Sequence, residues 1–94
     1  MEDVTSRLAR LLTEAGEAHH DYETEVLKQR DEDWAGWYAT HLLEHGVADV
    51  LGARVPSDRL ATQLSEAADA YAVEHPSVTW QEYYAQRLLQ AARG

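Results

Sequence analysis

The sharpest chemical string in the chain is HLLEH, His41 to His45, which matches the His-x-x-Glu-His pattern of inverted zincin metalloproteases. Imidazoles four residues apart on a helix share a face and can grip one zinc ion, with Glu44 between them as a base. A protease also needs a downstream acidic ligand and a substrate cleft, which a chain of 94 residues can hardly enclose. A plain metal site is harder to dismiss, and its candidate ligands are His19, His41 and His45. If the first helix runs unbroken to Lys28 and the turn centres near Arg30, a rise of about 1.5 Å per residue brings His19 level with His41. If those residues loop out, His19 lies instead near Gly36 and Trp37. Glu17-x-x-His20 has the spacing of a di-iron ligand pair, yet both side chains point away from the Leu8, Leu12, Ala15 stripe and no second such pair exists. His20 with Asp21 forms an HD dipeptide without the distant ligands a phosphohydrolase needs. No glycine-rich phosphate loop, Gly-x-Ser-x-Gly elbow or thiol is present.

Aromatic side chains are the second resource. Trp34, Trp37, Tyr38, Trp80, Tyr83 and Tyr84 take the core volume that isoleucine and phenylalanine, both absent, would otherwise fill. Trp34 and Trp80 are expected to be substantially buried. Neighbours in a helix stand about 100° apart, so Trp37 with Tyr38 and Tyr83 with Tyr84 cannot all point inward. At least one of each pair belongs at the rim, where aromatics favour protein interfaces. The candidate partner-binding residues are therefore Trp37, Tyr38, Tyr83 and Tyr84.

Internal similarity shows which elements must position these groups. Residues 5 to 18 (TSRLARLLTEAGEA) align without gaps on 57 to 70 (SDRLATQLSEAADA), and 33 to 46 (DWAGWYATHLLEHG) align on 79 to 92 (TWQEYYAQRLLQAA). Two matching blocks in one order indicate duplication of a two-helix unit. In that alignment His19, His41, Glu44 and His45 correspond to Tyr71, Arg87, Gln90 and Ala91, whereas the Trp, Tyr and Leu positions persist. Packing is retained and the ligand set is not, which favours structural histidines and predicts that no zinc site assembles.

Periodicity gives four helices. Val4, Leu8, Leu11, Leu12, Ala15, His19, Tyr22 and Val26 share one face of the first; Trp34, Trp37, Tyr38, His41, Leu42 and His45 share a broad face of the second. Leu60, Leu64, Ala67, Ala68, Tyr71 and Val73 form the third stripe, and Trp80, Tyr83, Tyr84, Arg87, Leu88 and Ala91 the fourth. Asp33, Ser57 or Asp58, and Thr79 with Glu82 read as helix starts. Gly46, Gly52 and Pro56 punctuate the connection between halves, VADVL reads as one extra turn, and Pro76 closes the third helix. The acidic run Asp31, Glu32, Asp33 reads as a solvated turn that favours the positive end of the second helix. The expected fold is all-α, a four-helix bundle built from two tandem pseudo-symmetric hairpins, in a single domain of residues 1–94 with copies at 4–46 and 57–93 and a linker at 47–56.

The strings EAHHDYE, DEDWAGWYATHLLEHG and TWQEYYAQRLL, separated by a Leu- and Ala-rich helix, resemble a family of short bacterial all-helical proteins carrying two Trp-x-x-aromatic-Tyr-Ala helices. The resemblance spans nearly the whole chain and implies a small helical domain. That family carries no assigned activity, so no catalytic residue transfers from it.

Composition sets the outer bounds. Hydrophobic residues make up 45% of the chain but 15 of them are alanine, so the core must be lean. A net charge of −9 with only one lysine disfavours binding to nucleic acid or anionic lipid. The absence of cysteine excludes disulfides and thiolate metal sites, and the amino terminus, MEDVTSRLAR, lacks the pattern of a leader. With no apolar run approaching a membrane span, these features predict a cytoplasmic protein that is non-enzymatic, takes no cofactor and acts through a protein partner or self-association. Metal binding through His19, His41 and His45 is the alternative.

Overall fold

The computed structural model describes residues 3–29 and 33–93, the side chain of Arg93 excepted. Helix α1 (Val4–Asp21) starts where the Asp3 carboxylate accepts a hydrogen bond from the Ser6 N–H at 2.8 Å, satisfying one of the helix's orphan donors. It buries Leu8, Leu12, Ala15 and His19, four residues at 3–4 spacing. Beyond Asp21 the chain widens into a single π-helical segment, Tyr22–Leu27, which has no fully buried side chain and ends at Lys28 in the left-handed region. The wider turn takes Val26 off the α1 stripe, leaving it 70% exposed where strict helical spacing predicts a buried face. Asp31 and Glu32 of the acidic run, and the Arg30 turn, lie outside the described residues.

Helix α2 (Trp34–Glu44) follows Asp33, and a short α3 (Val47–Leu51) sits between Gly46 and Gly52. Both glycines have positive φ, 89° and 72°, a conformation that side chains with a Cβ rarely adopt. The linker expected at 47–56 thus contains a helix, and its Val47 is fully buried. Helix α4 (Ser57–Glu74) is preceded by Pro56, and its C-cap His75 is left-handed just before Pro76. Helix α5 (Trp80–Arg93) begins after Thr79, whose hydroxyl accepts from the Glu82 N–H at 3.3 Å.

Among the described residues there is no strand, so the expected all-α class holds. Helix α1 packs on α2 and α5, and α4 packs on the same two, leaving α1 opposite α4 and α2 opposite α5. The short α3 fills one end against α1, α2 and α5. Inside the ring, Leu8, Leu12, Leu42, Leu60, Leu64 and Leu88 are fully buried, with Ala15, Ala39 and Ala85 closing the approaches between helices. Each such leucine contributes about 1.5–3 kcal/mol of transfer free energy, and the small alanines let helices supply those contacts despite the lean composition. No described helix is long and apolar enough to cross a membrane.

Candidate functional site

The aromatic and histidine side chains sort into two places on this frame. The first is a ladder of rings outside the leucine core. His19, 6% exposed, lies with its ring centre 5.0 Å from Trp37 and 5.1 Å from Tyr38, and its Nδ1 is 3.6 Å from a Glu23 carboxylate oxygen. Trp37 in turn meets Tyr22 at 5.7 Å and stacks on His41 at 5.2 Å with only 14° between planes. His41 stacks on His45 at 4.0 Å and 17°. His45 is fixed by its Nδ1–H, which donates to the His41 carbonyl at 2.8 Å. The ladder borders a groove of about 770 Å³ between α2 and the start of α4, into which Asp33, Glu44 and Asp58 bring carboxylates. Partial burial, and after it the neighbouring His45, hold the His41 imidazole below its ordinary pKa, against the opposing pull of Glu44 and Glu14.

This arrangement explains what the three candidate metal ligands do. A ring nitrogen's lone pair lies in the ring plane, and a zinc ligand must sit about 2.0–2.1 Å from the ion. The planes of His41 and His45 are nearly parallel at 4.0 Å separation, so they do not meet at any point that close to both rings. His19 joins the row at Trp37 and Tyr38. Among the described residues, no group of three His, Asp or Glu side chains is arranged to hold a metal ion. Helix extension and register also prove separable: helical structure continues to Leu27, yet His19 lies against Trp37 and not level with His41 as an unbroken α-helix to Lys28 would imply.

The second place is a cleft at the starts of α2 and α5. Trp34, Tyr38, Tyr71, Trp80 and Tyr84 line an open cavity of about 350 Å³. All five are half-buried, so Trp34 and Trp80 are less buried than their apolar bulk predicts, although both pack against the leucine core along with Tyr38 and Tyr84. Adjacent rings stand nearly edge to face: Trp34 with Tyr38 at 88°, Trp80 with Tyr84 at 63°, Tyr38 with Trp80 at 65° and Tyr71 with Tyr84 at 83°. Such angles are the favoured ones for rings carrying a quadrupole. The Tyr71 hydroxyl donates to the Val78 carbonyl at 3.0 Å and so ties this wall to the α4–α5 turn. Burial raises the phenol pKa of both Tyr38 and Tyr84, and neighbouring phenols and carboxylates, Glu23 for Tyr38 and Asp69 for Tyr84, raise them further.

Of the four candidate partner-binding residues, Tyr38 and Tyr84 line this cleft and Trp37 lines the α2–α4 groove. Tyr83 donates its hydroxyl to the Glu74 carboxylate and carries the Arg87 guanidinium 5.8 Å above its ring. The structure does not gather them into one surface. Periodicity places Trp34 and Trp80 in the core and does not connect Tyr71 with them. The usable signal was the matched Trp-x-x-x-Tyr spacing in two helices, which places two pairs of rings one turn apart.

The chain matches no family model, no curated protein and no solved structure. Its functional reading therefore rests on geometry and chemistry alone.

Proposed function

We propose that the protein is a non-enzymatic helical interaction module, built from two related hairpins at 4–46 and 57–93 whose four long helices form a bundle. Three features support the related hairpins. Leu8, Leu12 and Ala15 are fully buried, as are their counterparts Leu60, Leu64 and Ala67. Ala39 and Leu42 are buried, as are Ala85 and Leu88. His19 lies on Trp37 and Tyr38, while its counterpart Tyr71 lies on Tyr83 and Tyr84 at 5.4 and 6.3 Å.

The observation that carries the interaction reading is the placement of Trp37. It stands at the edge of a groove, stacked on His41 and tilted against Tyr22, and Asp33 before α2, Glu44 of α2 and Asp58 of α4 also line that groove. A large aromatic anchor with charged groups around it is the arrangement by which interfaces concentrate binding energy. The partner that fits is a protein segment presenting an apolar side chain flanked by basic residues. Against a net charge of −9, an acidic second copy is the weaker match.

Site-specific photocrosslinking tests this. A crosslinker at position 37 should trap one protein in the native cells, whereas the same group at Ser65, on the exposed face of α4, should not. Adding Asp58→Lys to the protein that carries the crosslinker at position 37 should reduce the adduct severalfold. Equal labelling from both positions, or none from position 37, would remove the basis of the reading. The competing reading, a metal held by His19, His41 and His45, predicts stoichiometric zinc binding by untagged protein in calorimetric titration. The stacked imidazoles lead us to expect none.

A further inference from the structure

The cleft at the starts of α2 and α5 shares no lining residue with the Trp37 groove, and its chemistry is different. Its five lining residues are all aromatic and none is cationic. Neighbouring rings meet at 63–88°, so the cleft has walls on several sides rather than a single flat stack. Aromatic rings carry partial negative potential on their faces, and a space lined only by such rings favours a cation whose charge is too shielded to demand hydrogen bonds. The surroundings add to this. Glu23 and Asp69 lie close enough to act electrostatically on the Tyr38 and Tyr84 hydroxyls, and the chain as a whole carries −9. At about 350 Å³ the cleft lies at the small end of ligand sites.

We infer that the cleft formed by Trp34, Tyr38, Tyr71, Trp80 and Tyr84 is a binding site for a small quaternary ammonium compound. A primary ammonium is too strongly hydrated to enter a cleft that offers it no carboxylate acceptor among its lining residues, and an anion is disfavoured by nearby Glu23 and Asp69 and by the chain's net charge of −9. A trimethylammonium group has a methyl surface that fills apolar space while its charge is spread over those methyls. This site is independent of the protein partner at Trp37, and either can fail without the other.

The test uses the whole chain and choline as the probe, with calorimetry and indole N–H resonances as readouts. Choline should bind one-to-one and shift the Trp34 and Trp80 indole signals while leaving that of Trp37 in place. Its neutral isostere, with carbon in place of the quaternary nitrogen, should bind at least about tenfold more weakly. Trp34→Leu and Trp80→Leu should each weaken choline binding about tenfold, and Trp37→Leu should leave it unchanged. If the first two variants lose their fold, the isostere comparison on the unaltered chain decides. Equal binding of choline and its isostere would make the cleft a merely apolar pocket, and no binding of choline would overturn the assignment. A trimethyllysine peptide or phosphatidylcholine vesicles binding more tightly than choline would overturn the assignment to a small free compound.

Discussion

In the first hairpin the slot between the paired helices is filled by His19, and in the second by Tyr71. Each ring lies against two adjacent aromatics of the following helix, Trp37 and Tyr38 in one case and Tyr83 and Tyr84 in the other. The inner member of each adjacent pair, Tyr38 or Tyr84, packs on the leucine core. The outer members have different surroundings: Trp37 stacks on His41 and lies tilted against Tyr22, whereas Tyr83 is held by Glu74 and Arg87. What the two regions share is a packing plan that needs a flat ring in the slot and tolerates which ring it is. What they do not share is surface chemistry, and function should be sought there.

The largest effects should fall on the matched core. Leu12→Ala and Leu64→Ala each remove a fully buried side chain from the core, and each should cost about 2–5 kcal/mol in denaturant titration. If one costs more than the other by about 2 kcal/mol, the proposed equivalence of the hairpins fails. Next come Trp34→Ala and Trp80→Ala. Full burial would predict about 3–5 kcal/mol; because both indoles line an open cleft, about 2–3 kcal/mol is expected. A loss below about 1 kcal/mol for both would place them on the surface.

Exchanging the slot residues sharpens the comparison further. His19→Tyr should change stability by about 1 kcal/mol or less if the slot is tolerant. Tyr71→His should cost more, about 1–2 kcal/mol, since it also removes the hydroxyl that donates to the Val78 carbonyl. Equal costs would mean that this hydrogen bond contributes nothing to the α4–α5 turn.

Much of this was legible in the sequence. The Leu8, Leu12, Ala15 stripe and its counterpart are spaced as a helix requires, and both are buried. Thr79 with Glu82, and Pro76 after α4, mark real boundaries because capping and proline chemistry act over a few residues. Val26 and Val73 were misplaced on buried faces and are 70% and 81% exposed. Val26 lies where the helix changes its turn width, and Val73 lies in the last turn of α4, where α5 meets Glu74 instead. The cleft was not legible because it joins α2, α4 and α5, and periodicity reports which face of one helix is apolar without saying where three helices leave a gap.

The smallest expected effect separates the hairpins by acidity, for Arg87 stands in the second where His41 stands in the first. Partial burial, then His45, depress the His41 pKa, so the unfolded chain takes up that proton more readily than the native one. This contribution to stability is complete above the ordinary histidine range, near pH 6.5, and is lost as pH falls through it. With the ring partly open to solvent the loss should be well under 1 kcal/mol, about a few tenths. Urea midpoints at about pH 5 and pH 8 should differ less in His41→Gln than in the unaltered chain.

The π-helical segment Tyr22–Leu27 has a thermodynamic consequence of its own. It has no fully buried side chain and is held chiefly by half-buried Tyr22 and Leu27, so separating it from the body exposes much less apolar surface than unfolding the core, and its amides can exchange with deuterium through a local opening whose cost is below that of unfolding the molecule. The Leu8–Ala15 part of α1, locked in the core, exchanges only when the whole fold is lost. One continuous helical rod therefore spans two stability regimes, and a protease acting on the native state should cut it first at the Tyr22–Leu27 end.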